Sequence, residues 1–180
     1  LLCLAKTNKG HKNLMKIISS AHNNYNYQTP IIDFKDLEYL KDEIIVISGG
    51  KDSHIFDLLK RHKIDEAEKR VDKFLTAFKD DFVLEVQKTN RADEYDYFSN
   101  IAPLSSKKGV PLIATNDVLF AKSSDFDTHE TKVCINTGKT LNDPNREKIF
   151  SQEQYFKSPE QMTELFKGFD ELIDNTNEIS

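Results

Sequence analysis

Two kinds of hydrophobic pattern alternate along the chain. Four short apolar runs occupy residues 1–5, 44–48, 82–87 and 111–115, and the last three of them contain β-branched residues. Longer segments lie between them, in which apolar residues recur every three or four positions. Short apolar runs of this kind predict strands, and the longer period predicts amphipathic helices. Strands that alternate with helices indicate βαβ units, so the sequence predicts an α/β fold with a parallel sheet.

Helical periodicity is clearest over residues 64–80, where oppositely charged residues are also spaced four apart. We predict further helices over residues 8–22, 93–108 and 123–137, the last one ending before Gly138 as a left-handed C-terminal cap. The apolar stripe of the clearest helix consists of Ile64, Ala67, Val71, Phe74, Leu75 and Phe78.

A final helix is marked by its capping residues. Ser158 fits the N-cap position, Pro159 the first helical position and Gln161 the partner in a capping box. We predict one continuous helix from there, which gives the chain a helical C-terminal extension. Its apolar face consists of Met162, Leu165, Phe166, Phe169, Leu172 and Ile173.

Composition narrows the class of protein. The 180 residues are 38% hydrophobic and 31% charged, which is typical of one soluble globular domain. The formal net charge of −5 argues against a free-standing nucleic-acid binder, which needs a basic surplus on one face. The two cysteines, Cys3 and Cys134, form no C-x-x-C pair, so we expect buried reduced thiols and a cytoplasmic protein. The first apolar run stops at Lys6, too early for a signal sequence or a membrane span.

Candidate chemistry lies after the strands, because ligands of parallel α/β folds bind beyond the carboxyl ends of the strands. Gly49 and Gly50 follow the second strand without the spacing of a phosphate-binding loop, which favours a tight turn. Asp117 follows the fourth strand and could be a metal ligand, or it could cap the turn together with Asn116. The five histidines form no ligand set by spacing, although His129 is a weak candidate. The residues alone favour capping and leave a metal site open.

Several motifs in the second half of the chain resemble a known protein family. The sequences PLIATNDV at 111–118, SSDFDTHE at 123–130 and GKTLNDPNR at 138–146 resemble the PHP domain of bacterial DNA polymerase III alpha subunits. Further matches occur in the family's order at residues 4–14, 45–50, 155–166 and 175–179. Together these matches span nearly the whole chain.

The resemblance implies a fold and a place in a longer protein. The expected fold is a partial, distorted (β/α)7 PHP barrel that lacks its N-terminal strands, followed by the helical extension. Residues 1–122 would hold the central and C-terminal βα units of the barrel. Residues 123–180 would form the helical part that leads toward the palm domain. The chain has no initiator Met and opens on a strand-like run, so we expect a piece of a longer polymerase subunit.

The resemblance also implies which ligands are lost. Metal-binding members of the family carry a Q-x-H pattern after the third strand, and here Thr89 stands in place of that histidine. They carry a D-x-H pattern after the next strand, and here Leu119 stands in place of its histidine. Asp117 alone matches a ligand position and would be vestigial, because Leu has no lone pair and Thr is a weak neutral ligand. We therefore expect no catalytic residue and no required cofactor, with at most a residual divalent cation.

The implied role is that of a non-catalytic scaffold in chromosomal DNA replication. In the branch of the family that this chain resembles, the PHP domain docks a separate epsilon exonuclease and supports the polymerase core and other holoenzyme subunits. Nucleotidyl transfer and most contacts with DNA belong to other domains of the parent polymerase, and no membrane is involved. The alternative is a metal-dependent PHP phosphoesterase or 3′–5′ exonuclease, in which His129 or a residue outside the chain would replace the lost ligands. An unrelated soluble α/β enzyme is the third interpretation.

Overall fold

A computed structural model describes residues 1–23 and 30–180 and has a mixed α/β fold. The strands are β1 (Leu2–Ala5), β2 (Ile44–Ile47), β3 (Phe82–Gln87) and β4 (Leu112–Thr115). The helices are α1 (Asn8–Asn23), α2 (Phe34–Tyr39), α3 (His54–Lys60), α4 (Ile64–Phe78), α5 (Glu94–Lys108), α6 (Phe126–Thr137), α7 (Pro159–Leu165) and α8 (Asp170–Ile179). The four predicted strands are confirmed to within a residue or two at their ends. The short helix α2 was not predicted.

The strands form one sheet in the order β1-β2-β3-β4. β2 and β3 are parallel, with Val46 opposite Phe82. β1 is antiparallel to β2, with Leu2 opposite Ile47, so the prediction of a parallel sheet is wrong for this strand. β2 is largely buried, whereas β1 is largely exposed. An edge strand with one face in water can be antiparallel, and its direction leaves no mark in a four-residue apolar run.

The chain forms two compact units, and the division between them crosses both β3 and α5. The first unit comprises Leu1–Leu84 and Pro103–Val110, and the second comprises Glu85–Ala102 and Pro111–Ser180. The boundary after residue 122, which the family resemblance implied, stays a prediction.

Aromatic packing fills the core of the first unit. The ring of Phe74 on α4 stacks on Phe82 at a centroid distance of 5.0 Å and meets Phe34 edge-on at 5.2 Å. Pairs of this geometry add roughly 0.5–1.5 kcal/mol to the gain from buried area. The buried face of α4 consists of Ala67, Val71, Phe74, Ala77 and Phe78. The predicted stripe is confirmed except for Ile64, which is exposed, and Leu75, which is half-buried.

In the second unit, helix α8 covers the edge of β4. The Thr176 hydroxyl accepts a hydrogen bond from the Ala114 amide at 3.0 Å, and its one proton is shared between the Ala114 carbonyl at 3.0 Å and the Leu172 carbonyl at 2.8 Å. The Asn175 amide group donates to the Leu112 carbonyl at 2.8 Å. Exposed strand edges invite pairing with other chains, and these side chains occupy backbone groups of Leu112 and Ala114 on the edge of β4.

The C-terminal helix is broken in two. The capping box is confirmed, because the Ser158 hydroxyl accepts from the Gln161 amide and the Gln161 side chain accepts from the Ser158 amide. The continuous helix is wrong: α7 ends at Leu165, Gly168 has a φ of +83°, and α8 begins at Asp170. Glycine adopts this left-handed conformation without steric cost and therefore lets the chain turn. None of the helices in the described ranges has the length and apolar character needed to cross a bilayer.

Gly10 provides a test of the packing in the first unit. A Cβ at this position would overlap the carbonyl oxygen of Glu43 and would lie 3.0 Å from its carbonyl carbon. We therefore expect Gly10→Ala to lower the free energy of unfolding by about 1–3 kcal/mol, despite the better helix propensity of alanine. Urea denaturation measures the change. Ser19→Ala, at an exposed position of the same helix, is the control and should stay within about 0.5 kcal/mol of the wild type. Unchanged stability of Gly10→Ala would contradict the close approach of α1 to Glu43.

Candidate functional site

Polar side chains line one face of β3 and continue past the end of β4. Alternate residues of a strand point to the same side, so Glu85 and Gln87 share a face of β3. The Thr115 hydroxyl, at the end of β4, donates to the buried Glu85 carboxylate at 2.7 Å. Asp117 follows two residues later, as Gln87 follows Glu85. Polar residues thus form two successive pairs along this face. Glu85 and Thr115 form the first pair, and Gln87 and Asp117, farther toward the carboxyl ends of the chain segments, form the second.

The guanidinium of Arg91 connects the second of these pairs, Gln87 and Asp117. Its Nη1 donates to Asp117 Oδ2 at 2.9 Å, and its Nη2 donates to Gln87 Oε1 at 2.8 Å. Its Nε donates to Thr89 Oγ1 at 2.8 Å and lies 3.3 Å from Glu94 Oε1. The Arg91 side chain is only 8% exposed. We refer to Gln87, Thr89, Arg91, Glu94 and Asp117 as the Arg91 cluster.

Thr89 and Glu94 build the turn that carries Arg91. The Glu94 carboxylate accepts from the Thr89 amide at 2.7 Å, from the Arg91 amide at 3.4 Å and from the Thr89 hydroxyl. Glu94 is the first residue of α5, where the helix dipole favours a negative charge. Asn90 and Asp93 have positive φ values of 58° and 68°, so the turn is tight. Thr89 thus serves as a buried structural residue at the position where the family resemblance placed a lost metal-binding histidine.

Asp117 has a second partner besides Arg91. The buried Gln154 side chain donates to Asp117 Oδ2 at 2.9 Å. The neighbouring Asn116 side chain donates to the Tyr155 carbonyl at 2.6 Å. We predicted that Asn116 and Asp117 bind backbone amides of their own turn. This is wrong, because both side chains bind groups more than thirty residues away in sequence. They hold residues 154 and 155 against the end of β4.

Leu119 lies beside this connection. Its backbone amide donates to the Gln154 carbonyl at 2.9 Å, and its side chain is 39% exposed. Leu119 therefore supplies a backbone hydrogen bond and no metal-ligating side-chain atom.

His129 and Glu130, the weak metal candidates of the sequence, have other partners. The His129 ring lies against Phe150, at a centroid distance of 4.8 Å, and against Phe120 at 5.5 Å. The Glu130 carboxylate forms a buried ion pair with Arg146, and this contact raises the pKa of the Arg146 guanidinium above its ordinary value. Across residues 1–23 and 30–180, no three His, Cys, Asp or Glu side chains are grouped so that they could hold a metal ion.

The Arg91 cluster does not fit a divalent cation. A hard cation prefers several oxygen ligands that carry negative charge, and Asp117 is the one carboxylate at the ligand positions that the resemblance identified. Its Oδ2 atom already accepts from Arg91 and Gln154. Thr89 and Gln87 offer neutral oxygens that also accept from Arg91. We therefore derive no metal-dependent step at this site.

Three residues of the site escaped the sequence analysis, namely Arg91, Glu94 and Gln154. Arg91 and Glu94 lie in a polar stretch that is typical of a solvated turn, and Gln154 is 37 residues from its partner Asp117. The only local signal was the spacing of Thr89 and Glu94, which suits a carboxylate that accepts from amides before a helix.

Asp117 tests the electrostatics of the cluster. We expect Asp117→Asn to lower the free energy of unfolding by about 1–3 kcal/mol, because the buried guanidinium of Arg91 loses a charged partner. Asp174→Asn, an exposed position on α8, is the matched control and should change stability by no more than about 0.5 kcal/mol. Urea denaturation of the two variants and the wild type measures both changes. Equal stability of all three proteins would show that the Arg91–Asp117 contact does not contribute to the free energy of unfolding.

Comparisons with known proteins agree with the motifs. Residues 1–89 match the PHP domain family. The chain is 36% identical over 181 residues to DNA polymerase III subunit alpha of Pseudomonas aeruginosa, with all of the chain and 15% of the relative covered. It is 39% identical over 181 residues to the same subunit of Escherichia coli K12, with all of the chain and 16% of the relative covered. The Haemophilus influenzae subunit is 35% identical over 176 residues, with 98% of the chain and 15% of the relative covered.

The chain thus spans about 15–16% of the length of these curated relatives. The similarity to the relatives extends over the whole chain and therefore includes the segments from which the resemblance was inferred. Along its full length the chain is homologous to a region of the DNA polymerase III alpha subunits of several bacteria, and its residues 1–89 match the PHP domain family.

Proposed function

We propose that the chain is part of a DNA polymerase III alpha subunit and serves there as a non-catalytic scaffold in chromosomal DNA replication. The observation that carries the proposal is the contact between Arg91 and Asp117. A hydrolytic PHP centre needs metal ions that are fixed by several ligands and that activate a water molecule. Here the guanidinium binds the remaining ligand, and Thr89 and Leu119 stand at the two other positions. No cofactor is required in this proposal.

The same proposal extends to the fold. The parallel strands β2 and β3 and the polar groups beyond β3 and β4 support a partial, distorted (β/α)7 barrel that lacks its N-terminal strands. Polar side chains at the carboxyl ends of parallel strands are where barrel proteins build their sites. In this chain the corresponding position holds a cross-linked polar cluster.

The proposed partners are the epsilon exonuclease subunit and other subunits of the polymerase III holoenzyme, in the cytoplasm. The net charge of −5 supports a protein-binding role over direct binding of DNA, which other domains of the polymerase would contact. A scaffold must keep its surface in a fixed shape. The buried pair of Glu130 and Arg146 and the contacts from α8 to β4 supply such fixed connections within the second unit.

The alternative function is a metal-dependent phosphoesterase or 3′–5′ exonuclease. His129 would have to replace a lost ligand, but its ring lies among Phe120 and Phe150. None of the contacts described for the second unit favours this alternative. The experiment below tests it by measuring hydrolysis by the chain alone.

Binding and hydrolysis can be measured together. The chain is mixed with the epsilon subunit of Escherichia coli, and complex formation is followed by size-exclusion chromatography with light scattering. The corresponding region of the Escherichia coli alpha subunit, 39% identical to this chain, is the positive control. Release of 3′ nucleotides from single-stranded DNA is measured with Mg²⁺, Mn²⁺ or Zn²⁺. We expect a complex, and hydrolysis only where epsilon is present.

Two outcomes would overturn the proposal. Hydrolysis by the chain alone that is lost in Asp117→Asn would establish the phosphoesterase. Failure of the chain to bind epsilon under conditions where the Escherichia coli region binds would remove the scaffold role.

A further inference from the structure

The Arg91 cluster gathers acceptors from three segments of the second unit around one cation. Gln87 and Thr89 come from the end of β3 and the turn after it, Glu94 from the first residue of α5, and Asp117 from the segment after β4. Each of the nitrogens Nη1, Nη2 and Nε meets a different acceptor at 2.8–2.9 Å. This convergence of oxygen atoms from separate segments is the arrangement in which proteins bind a cation.

We propose that Arg91 is a tethered structural cation, and that the cluster is a binding site for a guanidinium group which the chain supplies from its own sequence. The guanidinium takes the place at the carboxyl ends of β3 and β4 that a dissociable metal ion would otherwise hold. The inference goes beyond the proposed function, because it concerns how the second unit is held together and applies whether or not epsilon binds.

Charge balance gives the first argument. Glu94 is 8% exposed as a side chain and Asp117 is 39% exposed, and the Arg91 guanidinium lies between the two carboxylates. Without a cation, the buried carboxylate of Glu94 would have no charged partner, and buried charge is stable only when it is paired. The tethered guanidinium supplies that charge without any entropy cost of binding a free ion.

Shape gives the second argument. The guanidinium is planar, and its N–H donors point in fixed directions. Two of these donors, on Nη2 and Nε, are bound by the neutral acceptors Gln87 Oε1 and Thr89 Oγ1. The Thr89 hydroxyl donates to Glu94, so its lone pair is directed toward Arg91 Nε. A neutral amide and a neutral hydroxyl are good acceptors for N–H groups and weak ligands for a divalent metal. The acceptor set therefore matches a guanidinium better than a metal ion or a lysine ammonium.

The test removes the tethered cation and offers a free one. In Arg91→Ala, the missing atoms correspond to N-ethylguanidinium, which is added at low millimolar concentration, with ethylammonium as the control for charge without shape. Arg91→Lys tests a tethered charge without the fork. Arg61→Ala removes an arginine that is 66% exposed and pairs with Asp57 on α3, and it serves as the surface control. Folding is followed by urea denaturation.

We expect Arg91→Ala to lower the folding equilibrium constant on the order of a hundredfold or more, as for other broken buried ion pairs. Arg91→Lys should recover only a minor part of this loss, and Arg61→Ala should stay within about threefold of the wild type. N-ethylguanidinium should raise the midpoint of Arg91→Ala in a saturable way, while ethylammonium should not, and neither should raise the midpoint of the wild type.

The inference is overturned if Arg91→Ala is as stable as the wild type, if Arg91→Lys restores full stability, or if the two added cations act equally. If Arg91→Ala does not fold, hydrogen exchange of the arginine Nε–H groups in the folded wild type decides. We expect exchange at Arg91 to be at least tenfold slower than at Arg61, and equal rates would overturn the inference.

Discussion

The second unit depends on one buried charge, the guanidinium of Arg91. A guanidinium with 8% of its side chain exposed is stable only when anionic and polar acceptors replace water around it. Asp117, Glu94, Gln87 and Thr89 provide these acceptors. Thr89 and Glu94 bind each other in the turn after β3, and Gln154 holds Asp117. Charge neutralisation at Arg91 therefore connects the end of β3, the first turn of α5 and the loop after β4.

The motifs that carried the family resemblance acquire a physical meaning in the structure. Glu130 and Arg146 come from two separate motifs and form one buried ion pair. Asn175 and Thr176 come from another motif and bind backbone groups on the edge of β4. Asn116 binds the backbone of Tyr155. These are contacts that maintain a shape. Their character agrees with the proposed role of a scaffold.

The sequence predicted what depends on local pattern and missed what depends on distant partners. Helix α4 and the capping box of Ser158 were predicted correctly, because periodicity and capping are properties of neighbouring residues. The direction of β1 and the break at Gly168 were missed, because neither changes the hydrophobic pattern. Asp117 was recognised as the main candidate, but its partner Arg91 could not be found, because a buried arginine and an exposed one look alike in a polar stretch.

The claim that a tethered guanidinium has replaced a metal ion is tested most directly by the response of the wild-type chain to divalent cations. The urea midpoint is measured after exhaustive chelation and again after addition of Mn²⁺ or Zn²⁺, with Asp117→Asn in parallel. A ligand that binds the native state raises its stability in proportion to the logarithm of its concentration above the dissociation constant. We expect the midpoint of the wild type to be the same with and without the ions. A rise in the urea midpoint that grows with ion concentration and disappears in Asp117→Asn would contradict this expectation. It would show that Asp117 is a metal ligand.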